Sequence, residues 1–197
     1  MTEAGNFDAH YFDALYQNDP DPWHFRSSAY EKSKYAETLR ALPREHYRHA
    51  LELGCSIGEF TRRLAARADR VTGVDTSLVA LDEARQACAG LDNVELIQAQ
   101  LPDGDWERPF DLIVLSEILY YLDIAGVERL ACRLKDCAPQ ADMVLVHWTG
   151  ETNYPLGGDE AVEGFLRSIQ ATDVMRSRTP HYRLDVVNAP SPNEVRR

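Results

Sequence analysis

The sequence lacks several features that define whole classes of protein. No apolar run approaches the length of about 18 residues that a membrane-spanning helix requires. The N-terminus shows no basic segment followed by an apolar stretch, so we expect no secretory signal and a cytoplasmic location. Basic residues are few, because 21 lysines and arginines against 32 acids give a net charge of −11. This charge argues against nucleic acid or an anionic membrane as a partner, since both require a basic surface.

Cysteine is also scarce and is not arranged in metal-binding or disulfide patterns. Cys55, Cys88, Cys132 and Cys137 show no C-x-x-C spacing, so we expect free thiols. Histidines and acids show no ligand spacing either, which predicts no metal site. A length of 197 residues with 44% hydrophobic content fits one domain with a sizeable core. We therefore expect a small-molecule partner, and either a monomer or a homodimer.

Apolar strand patterns alternate with helical patterns from about residue 46 onward. The predicted strands are His49–Leu53, Val71–Val74, Val94–Ala99, Phe110–Leu115 and Met143–His147. The predicted helices are Glu59–Ala68, Leu78–Ala89, Gly126–Leu134 and Glu160–Ile169. This alternation predicts a parallel sheet wound by right-handed crossovers, with the ligand at the carboxyl ends of the strands.

The two ends of the chain depart from this alternation. Helices are predicted within Asp8–Gln17 and Tyr30–Leu42, and they form an N-terminal cap or lid over residues 1–45. Near the C-terminus, Asp173–Arg178 and Tyr182–Val187 are separated by a link too short for a crossover helix, which predicts an antiparallel hairpin. The single domain thus has a core at residues 46–188, followed by a flexible tail at residues 189–197.

The segment ALELGCSIGEFT, residues 50–61, is the most informative motif. It predicts a strand, a tight turn and a helix start, in which Gly54 takes positive φ or allows close approach of a ligand, and Gly58 allows close packing. The next strand ends in Asp75, where nucleotide-binding folds place an acid that binds ribose hydroxyls. The motif departs from the dinucleotide pattern G-x-G-x-x-G at Glu52, Gly54, Ser56 and Gly58. The acid at Glu52 discourages binding of a pyrophosphate. The spacing resembles motif I of class I S-adenosylmethionine-dependent methyltransferases, with Ser56 in place of the middle glycine.

Further segments resemble the NodS-type nodulation methyltransferases and their bacterial relatives. They are DPW at Asp21–Trp23, YEKSK at Tyr30–Lys34, ELGCSIGEFT, and SEILYYL at Ser116–Leu122. The resemblance implies a Rossmann-like class I methyltransferase fold, an α/β architecture with helices on both faces of a mostly parallel sheet that ends in an antiparallel hairpin. It also implies N-methylation of a small polar amine or an amino sugar, and in NodS itself of a deacetylated chitooligosaccharide.

The resemblance also implies a set of cofactor contacts. Gly54 and Cys55 are expected to face the methionyl part, Asp75 the ribose, and Gln100 with Leu101 the adenine. Trp23 is expected to cap the cofactor, and Lys34 to pair with the methionyl carboxylate. The full set expected to bind S-adenosylmethionine is Trp23, Lys34, Glu52, Gly54, Cys55, Ser56, Gly58, Asp75, Thr76, Gln100, Leu101 and Ser116.

Three residues after the fourth and fifth predicted strands are candidates for the catalytic role. Methyl transfer requires an aligned acceptor and removal of its proton, and Glu117, Tyr120 and His147 lie where an acceptor enters. Each has a structural alternative: Glu117 as a helix cap or cofactor ligand, Tyr120 as a packing residue, and His147 as a hydrogen-bonded histidine in an apolar strand.

Other functions remain open at this level. O-methylation of a small metabolite is one alternative, for which His147 would serve as base, and a non-catalytic S-adenosylmethionine-binding protein is another. A nicotinamide-dependent reductase fits the glycines poorly. DNA methylation is disfavoured, because Ser116 to Leu119 lack the Asn/Asp-Pro-Pro-aromatic element that holds a flipped base.

Overall fold

The computed structural model describes residues 7–106 and 108–189, and these form one seven-stranded sheet with six α-helices. The strands are β1 Tyr47–Leu53, β2 Ala68–Asp75, β3 Val94–Gln98, β4 Leu112–Ser116, β5 Asp142–Trp148, β6 Val174–Arg178 and β7 Tyr182–Val187. The helices are α1 Ala9–Asn18, α2 Ala29–Ala41, α3 Thr61–Leu64, α4 Leu78–Ala87, α5 Ile124–Cys137 and α6 Gly158–Ser168.

The sheet has the strand order β3-β2-β1-β4-β5-β7-β6. Strands β1 to β5 pair in parallel, whereas β7 pairs antiparallel with both β5 and β6. The predicted mostly parallel sheet with a C-terminal antiparallel hairpin is therefore confirmed. The order reverses between β1 and β4, so the carboxyl ends of these strands border a crevice in which α/β folds bind ligands.

Polar N-caps begin most of the longer helices where the sequence changes from turn to amphipathic pattern. Asp8, Ser28, Ser77 and Asp123 each accept a hydrogen bond from a backbone N–H in the first turn of α1, α2, α4 and α5. Such a bond satisfies a donor that has no partner within the helix. The first turn of α2 is therefore fixed in place, and Tyr30 and Glu31 lie in it.

The helix predicted at Glu59–Ala68 is wrong in length. Only Thr61–Leu64 is α-helical, a 3-10 turn covers Ala65–Arg67, and Ala68 already belongs to β2. Ala68 pairs with Tyr47 of β1, so sheet hydrogen bonds take the residues that the amphipathic pattern assigned to a helix. Strand pairing here overrides helix propensity.

Two hydrophobic clusters cover the two faces of the sheet, and a third joins α1 to the site region. That third cluster contains Phe12 and Tyr16 of α1, together with Ile57 and Ala80. The predicted N-terminal cap is thus attached to the loop that follows β1 and to α4. Residues 1–6 of the cap, and the predicted tail apart from Ala189, lie outside the described residues. Among the described helices, none combines the length and apolarity needed to cross a membrane.

Candidate active site

A cavity of about 730 Å³ lies at the carboxyl ends of the parallel strands. We call one part of its wall the loop end, formed by Gly54, Cys55, Ser56, Asp75, Thr76 and Gln100. We call another part the α2 end, formed by Tyr30, Glu31, Lys34, Glu117 and Trp148. Most of the residues predicted to bind the cofactor or to act in catalysis line this cavity, and the exceptions are Gly58 and His147.

The backbone at Gly54 is closely surrounded. Gly54 has a φ of 81°, and its N–H donates to the carbonyl of Val74 at 2.8 Å. A Cβ atom at this position would lie 2.0 Å from Cγ2 of Ile118. Two features therefore require glycine at this position. The backbone is in the left-handed region, and a side chain would collide with Ile118.

The other motif glycine, Gly58, does not line the cavity. It has a φ of 77°, and a Cβ there would lie 3.0 Å from Cα of Ala84 in α4. Its predicted packing role is supported, with α4 as the neighbouring helix, and its part in the site is to fix the loop.

Asp75 is held by backbone donors at the end of β2. Its Oδ2 accepts from the N–H of Ser56 at 2.8 Å, and its Oδ1 accepts from the N–H of Ser77 at 2.9 Å. Ser56 has a φ of 49°, which is uncommon without glycine, and its hydroxyl forms a short hydrogen bond with that of Tyr16. Burial nevertheless raises the pKa of Asp75 above its usual range. Asp75 lines the cavity, and each carboxylate oxygen can accept more than one hydrogen bond.

Glu52 is a buried acid of the loop region. Its Oε2 accepts from the Thr61 hydroxyl at 2.6 Å, and its residue is only 2% exposed. Burial raises the pKa of Glu52 to about 8, although the Thr61 bond lowers it. This side chain is therefore largely protonated at neutral pH.

The remaining predicted cofactor contacts surround the loop end. Gln100 accepts from the Thr76 hydroxyl through Oε1 at 2.6 Å, which leaves one lone pair of that oxygen for another donor. Trp23 stacks on Phe25, with ring centroids 5.5 Å apart, and lines the cavity beside Tyr16. Leu101 and Ser116 also line the cavity, as does Cys55, whose thiol has a pKa raised by burial.

The α2 end is built on a buried lysine. Lys34 Nζ donates to Oε1 of Glu117 at 2.8 Å and to Oε1 of Glu31 at 3.1 Å, and its side chain is only 4% exposed. Burial lowers the pKa of Lys34, but the two carboxylates outweigh burial and raise it overall. The predicted partner of a methionyl carboxylate is thus already paired with two protein carboxylates.

Glu117 is held in an unusual backbone conformation. Its φ is 57°, a region that bulky residues rarely adopt and that clusters at functional sites. Its Oε2 accepts from the Tyr120 hydroxyl at 2.8 Å and from the N–H of Trp148 at 2.7 Å. Burial raises the pKa of Glu117, but Lys34 and the other donors lower it overall. Glu117 is therefore an ionised group whose oxygens are already engaged.

His147 does not lie where an acceptor enters the cavity, which is the position predicted for a base. It is fully buried within β5 and does not line the cavity. Its Nε2 accepts from the N–H of Leu119 at 3.2 Å and of Ile118 at 3.4 Å, which assigns the proton to Nδ1. Burial lowers the pKa of His147 to about 4. This geometry favours the structural alternative, in which the imidazole caps the turn after β4.

Charge in the cavity is unevenly distributed. Among the described residues that line it, six are acidic and two are basic: Glu31, Glu52, Glu59, Asp75, Glu117, Asp123, Lys34 and Arg129. Glu52 is largely uncharged at neutral pH, which leaves five acids against two bases. Such a wall favours a cationic ligand over an anionic one. In the described ranges, histidines, cysteines and acids form no group of three or more placed to hold a metal ion.

Sequence reasoning missed Tyr30 and Glu31 as residues of the site. Both belong to the segment YEKSK, from which only Lys34 was assigned a role, and both line the cavity. The available signal was the helical spacing of Glu31 and Lys34, three residues apart on one helix face. That spacing alone does not reveal Glu117, which is 83 residues away.

Comparison with known proteins assigns the family. The sequence model described as "Nodulation protein S (NodS)" matches residues 13–141, which is more than half of the chain. The chain belongs to the NodS family. Over 127 residues it is 34% identical to Nodulation protein S of Sinorhizobium fredii (strain NBRC 101917 / NGR234), covering 63% of this chain and 59% of that protein. The matched segments span 47% to 59% of three such NodS relatives.

Two further comparisons concern the fold and a second kind of methyltransferase. The crystal structure of N-methyltransferase NodS from Bradyrhizobium japonicum WM9 with S-adenosyl-L-homocysteine superposes with a TM-score of 0.79, at 19% identity, over 93% of this chain and 100% of that chain. The fold is thus the Rossmann-like class I methyltransferase fold. Trans-aconitate 2-methyltransferase of Escherichia coli (strain 55989 / EAEC) is 30% identical over 167 residues, covering 75% of this chain and 64% of that protein.

Proposed function

We propose that this NodS-family protein is an S-adenosylmethionine-dependent methyltransferase whose acceptor is a small polar amine or an amino sugar. The observation that carries this proposal is the composition of the cavity. One wall has the glycine loop and the acid of a nucleoside site, and another has a charged cluster with an excess of acid. A sulfonium cofactor and a protonated amine acceptor both carry positive charge, and both suit this wall.

The residues of the loop end fit the cofactor. Gly54 lines the cavity without a side chain, which lets a ligand approach its backbone, and the carboxylate of Asp75 can accept hydrogen bonds from ribose hydroxyls. We assign Gln100 to accept from the adenine amino group and Trp23 to cover the ligand, because both residues line the cavity and Gln100 Oε1 has a lone pair left. When bound, S-adenosylmethionine supplies an electrophilic methyl group on its sulfonium sulfur.

The protein's part in the reaction is to orient the acceptor and to remove its proton. A neutral amine attacks without a strong base, so positioning is the main requirement. Glu117 is ionised and fully engaged, and we assign it to holding Lys34 and Tyr120 in place. Lys34 lines the cavity, and its pairing with the methionyl carboxylate stays a prediction, because its ammonium group already donates to Glu31 and Glu117.

O-methylation is the second candidate, since a trans-aconitate 2-methyltransferase is among the relatives. Trans-aconitate carries three carboxylates, whereas acids outnumber bases among the described residues that line this cavity. An anionic acceptor therefore meets repulsion here. The location of His147 outside the cavity lining also leaves this alternative without its expected base.

The experiment that tests the function is release of S-adenosylhomocysteine from S-adenosylmethionine with three acceptors. These are a glucosamine trimer, its N-acetylated counterpart and trans-aconitate. We expect release with the amine alone. Asp75→Ala should abolish it, while Asp69→Ala, at the opposite end of the same strand, should retain it. Release with trans-aconitate alone supports O-methylation, and cofactor binding without release from any acceptor supports a non-catalytic binder.

A further inference from the structure

Two polar atoms in the first turn of α2 lack a hydrogen-bond partner. They are the hydroxyl oxygen of Tyr30 and Oε2 of Glu31, both buried and both without a partner in residues 7–106 and 108–189. The two residues line the same cavity at its α2 end. Buried polar atoms in proteins are nearly always hydrogen-bonded, so two unpaired atoms on residues that line a cavity point to a ligand.

The neighbouring polar groups do not share this condition. Both oxygens of Glu117 accept hydrogen bonds, from Lys34, Tyr120 and the N–H of Trp148. Oε1 of Glu31 also accepts from Lys34. Oε2 of Glu31 lies 3.0 Å from Lys34 Nζ, which is an ion-pair contact without hydrogen-bond geometry. A third buried polar atom, Nδ1 of His147, also lacks a partner among the described residues, but His147 does not line the cavity. Within the α2 end, the unpartnered atoms are therefore those of Tyr30 and Glu31.

We infer that the Tyr30 hydroxyl and Glu31 Oε2 form the subsite that binds the amino group of the methyl acceptor. The inference rests on the proposed function and deepens it, by naming the residues that recognise the acceptor. A primary amine or ammonium group carries at least two N–H donors, so it can donate to both oxygens at once. A hydroxyl group carries one donor and cannot.

The same arrangement provides a destination for the acceptor's proton. An ammonium group that donates to Glu31 transfers one proton from nitrogen to Oε2, which converts the carboxylate to a carboxylic acid and frees the nitrogen lone pair. Burial raises the pKa of Glu31 above its ordinary value despite the nearby Lys34, which makes this carboxylate a better proton acceptor. Glu117, with a lowered pKa and engaged oxygens, is less suited.

The charge of the α2 end is consistent with a cationic occupant. Glu31 and Glu117 together carry one more negative charge than Lys34 balances. A positive ligand restores the balance, and the acidic excess of the whole cavity acts in the same direction. The methionyl ammonium of the cofactor is the competing occupant, and binding measurements separate the two.

The test is calorimetric titration of the protein saturated with S-adenosylhomocysteine, so that no turnover is needed. The probes are glucosamine and a glucosamine trimer, each matched with its N-acetylated counterpart. We expect the wild type to prefer the amine in at least one pair. Glu31→Gln should weaken amine binding by about tenfold or more, and Tyr30→Phe by a few-fold, because charge-assisted hydrogen bonds are stronger than neutral ones.

Controls separate this subsite from the cofactor site and from the fold. Glu128→Gln alters an exposed carboxylate of α5 and should leave amine binding unchanged. S-Adenosylhomocysteine affinity and the thermal midpoint should be unchanged in Tyr30→Phe. The inference is overturned if the wild type shows no preference for the amine in either pair, or if Glu31→Gln and Tyr30→Phe weaken S-adenosylhomocysteine binding instead. Failure of the wild type to bind S-adenosylhomocysteine contradicts the proposed function itself.

Discussion

The loop end and the α2 end hold their acids in opposite ways. Near the loop end, Asp75 is fixed by backbone N–H groups, and Glu52 has one hydroxyl donor and a pKa raised to about 8. At the α2 end, Glu117 is held by a lysine, a tyrosine and one backbone N–H, and its pKa is lowered. Environments that push the pKa values of carboxyl groups apart are typical of active sites.

Different interactions define the loop end and the α2 end. Backbone geometry in the segments that follow β1 and β2 determines most of the loop end, so a substitution there should act through steric fit and strain. Side chains from α2, β5 and the turn after β4 determine the other, so a substitution there should act through unbalanced charge. The following changes test this contrast.

The largest effect on stability is expected for Gly54→Ala. Left-handed backbone costs a non-glycine residue about 1–2 kcal/mol, and the contact with Ile118 should add about 1–3 kcal/mol for overpacking. Urea unfolding measures the sum. The matched control is Gly90→Ala, since Gly90 has a φ of 85° with nothing within 4 Å of the added Cβ. Equal losses in the two variants would contradict the steric part of the account.

The next effect is expected for Lys34→Met. It leaves Glu31 and Glu117 without their cation, and breaking a buried pair in this way costs about 3–5 kcal/mol. We expect a loss of about 2–3 kcal/mol in the free energy of unfolding, because the Glu117 side chain is still 18% exposed to solvent. Urea unfolding again measures it, with Lys32→Met on the exposed face of α2 as control. Adding Glu117→Gln should recover part of the loss, and no recovery would argue against a charge mechanism.

A smaller and pH-dependent effect is expected for Glu52→Gln. The pKa of Glu52 is raised on folding, so its contribution to stability is present at low pH and is lost as pH rises through about 8. Gln retains an acceptor for the Thr61 hydroxyl and carries no charge. The unfolding free energy of the variant relative to wild type should therefore be roughly 2 kcal/mol greater at pH 9 than at pH 5. This value is lower than the full pKa shift of Glu52 would give at about 1.4 kcal/mol per pKa unit. A stability difference that is constant with pH would refute this assignment.

The smallest effect is expected for Tyr16→Phe. This change removes the hydroxyl that is bonded to Ser56 and that couples the cap to the loop end. Loss of one hydrogen bond should cost about 1 kcal/mol in unfolding free energy. S-Adenosylhomocysteine affinity should fall by less than tenfold. Tyr11→Phe, at a more exposed ring of α1, is the control and should change neither quantity. A loss of binding above a hundredfold would instead make Tyr16 a direct ligand.

Most of the fold was predictable from sequence, because parallel strands read as apolar runs and the short link at Thr179–His181 allowed only a hairpin. The loop end was predictable for a similar reason, since its residues lie in three short segments at the ends of predicted strands. The helix at Glu59–Ala68 was not, because pairing of Ala68 with Tyr47 decides where β2 begins.

The α2 end was only partly predictable. Lys34 and Glu117 were each proposed as site residues, but their ion pair joins positions that local patterns do not connect. Glu31 and Tyr30 have ordinary spacing in an amphipathic helix and become notable only through what they lack, a hydrogen-bond partner. The role of His147 was equally hidden, since burial within β5 depends on packing of the complete sheet.

The most direct test of the central claim is titration calorimetry of the protein with S-adenosylhomocysteine, with NAD as the negative ligand and Asp75→Ala and Asp69→Ala as paired variants. The account predicts micromolar affinity for S-adenosylhomocysteine, roughly −8 kcal/mol, lost in Asp75→Ala and retained in Asp69→Ala, with no binding of NAD. A folded protein that binds neither ligand, or that binds NAD in preference, would contradict the assignment of this cavity.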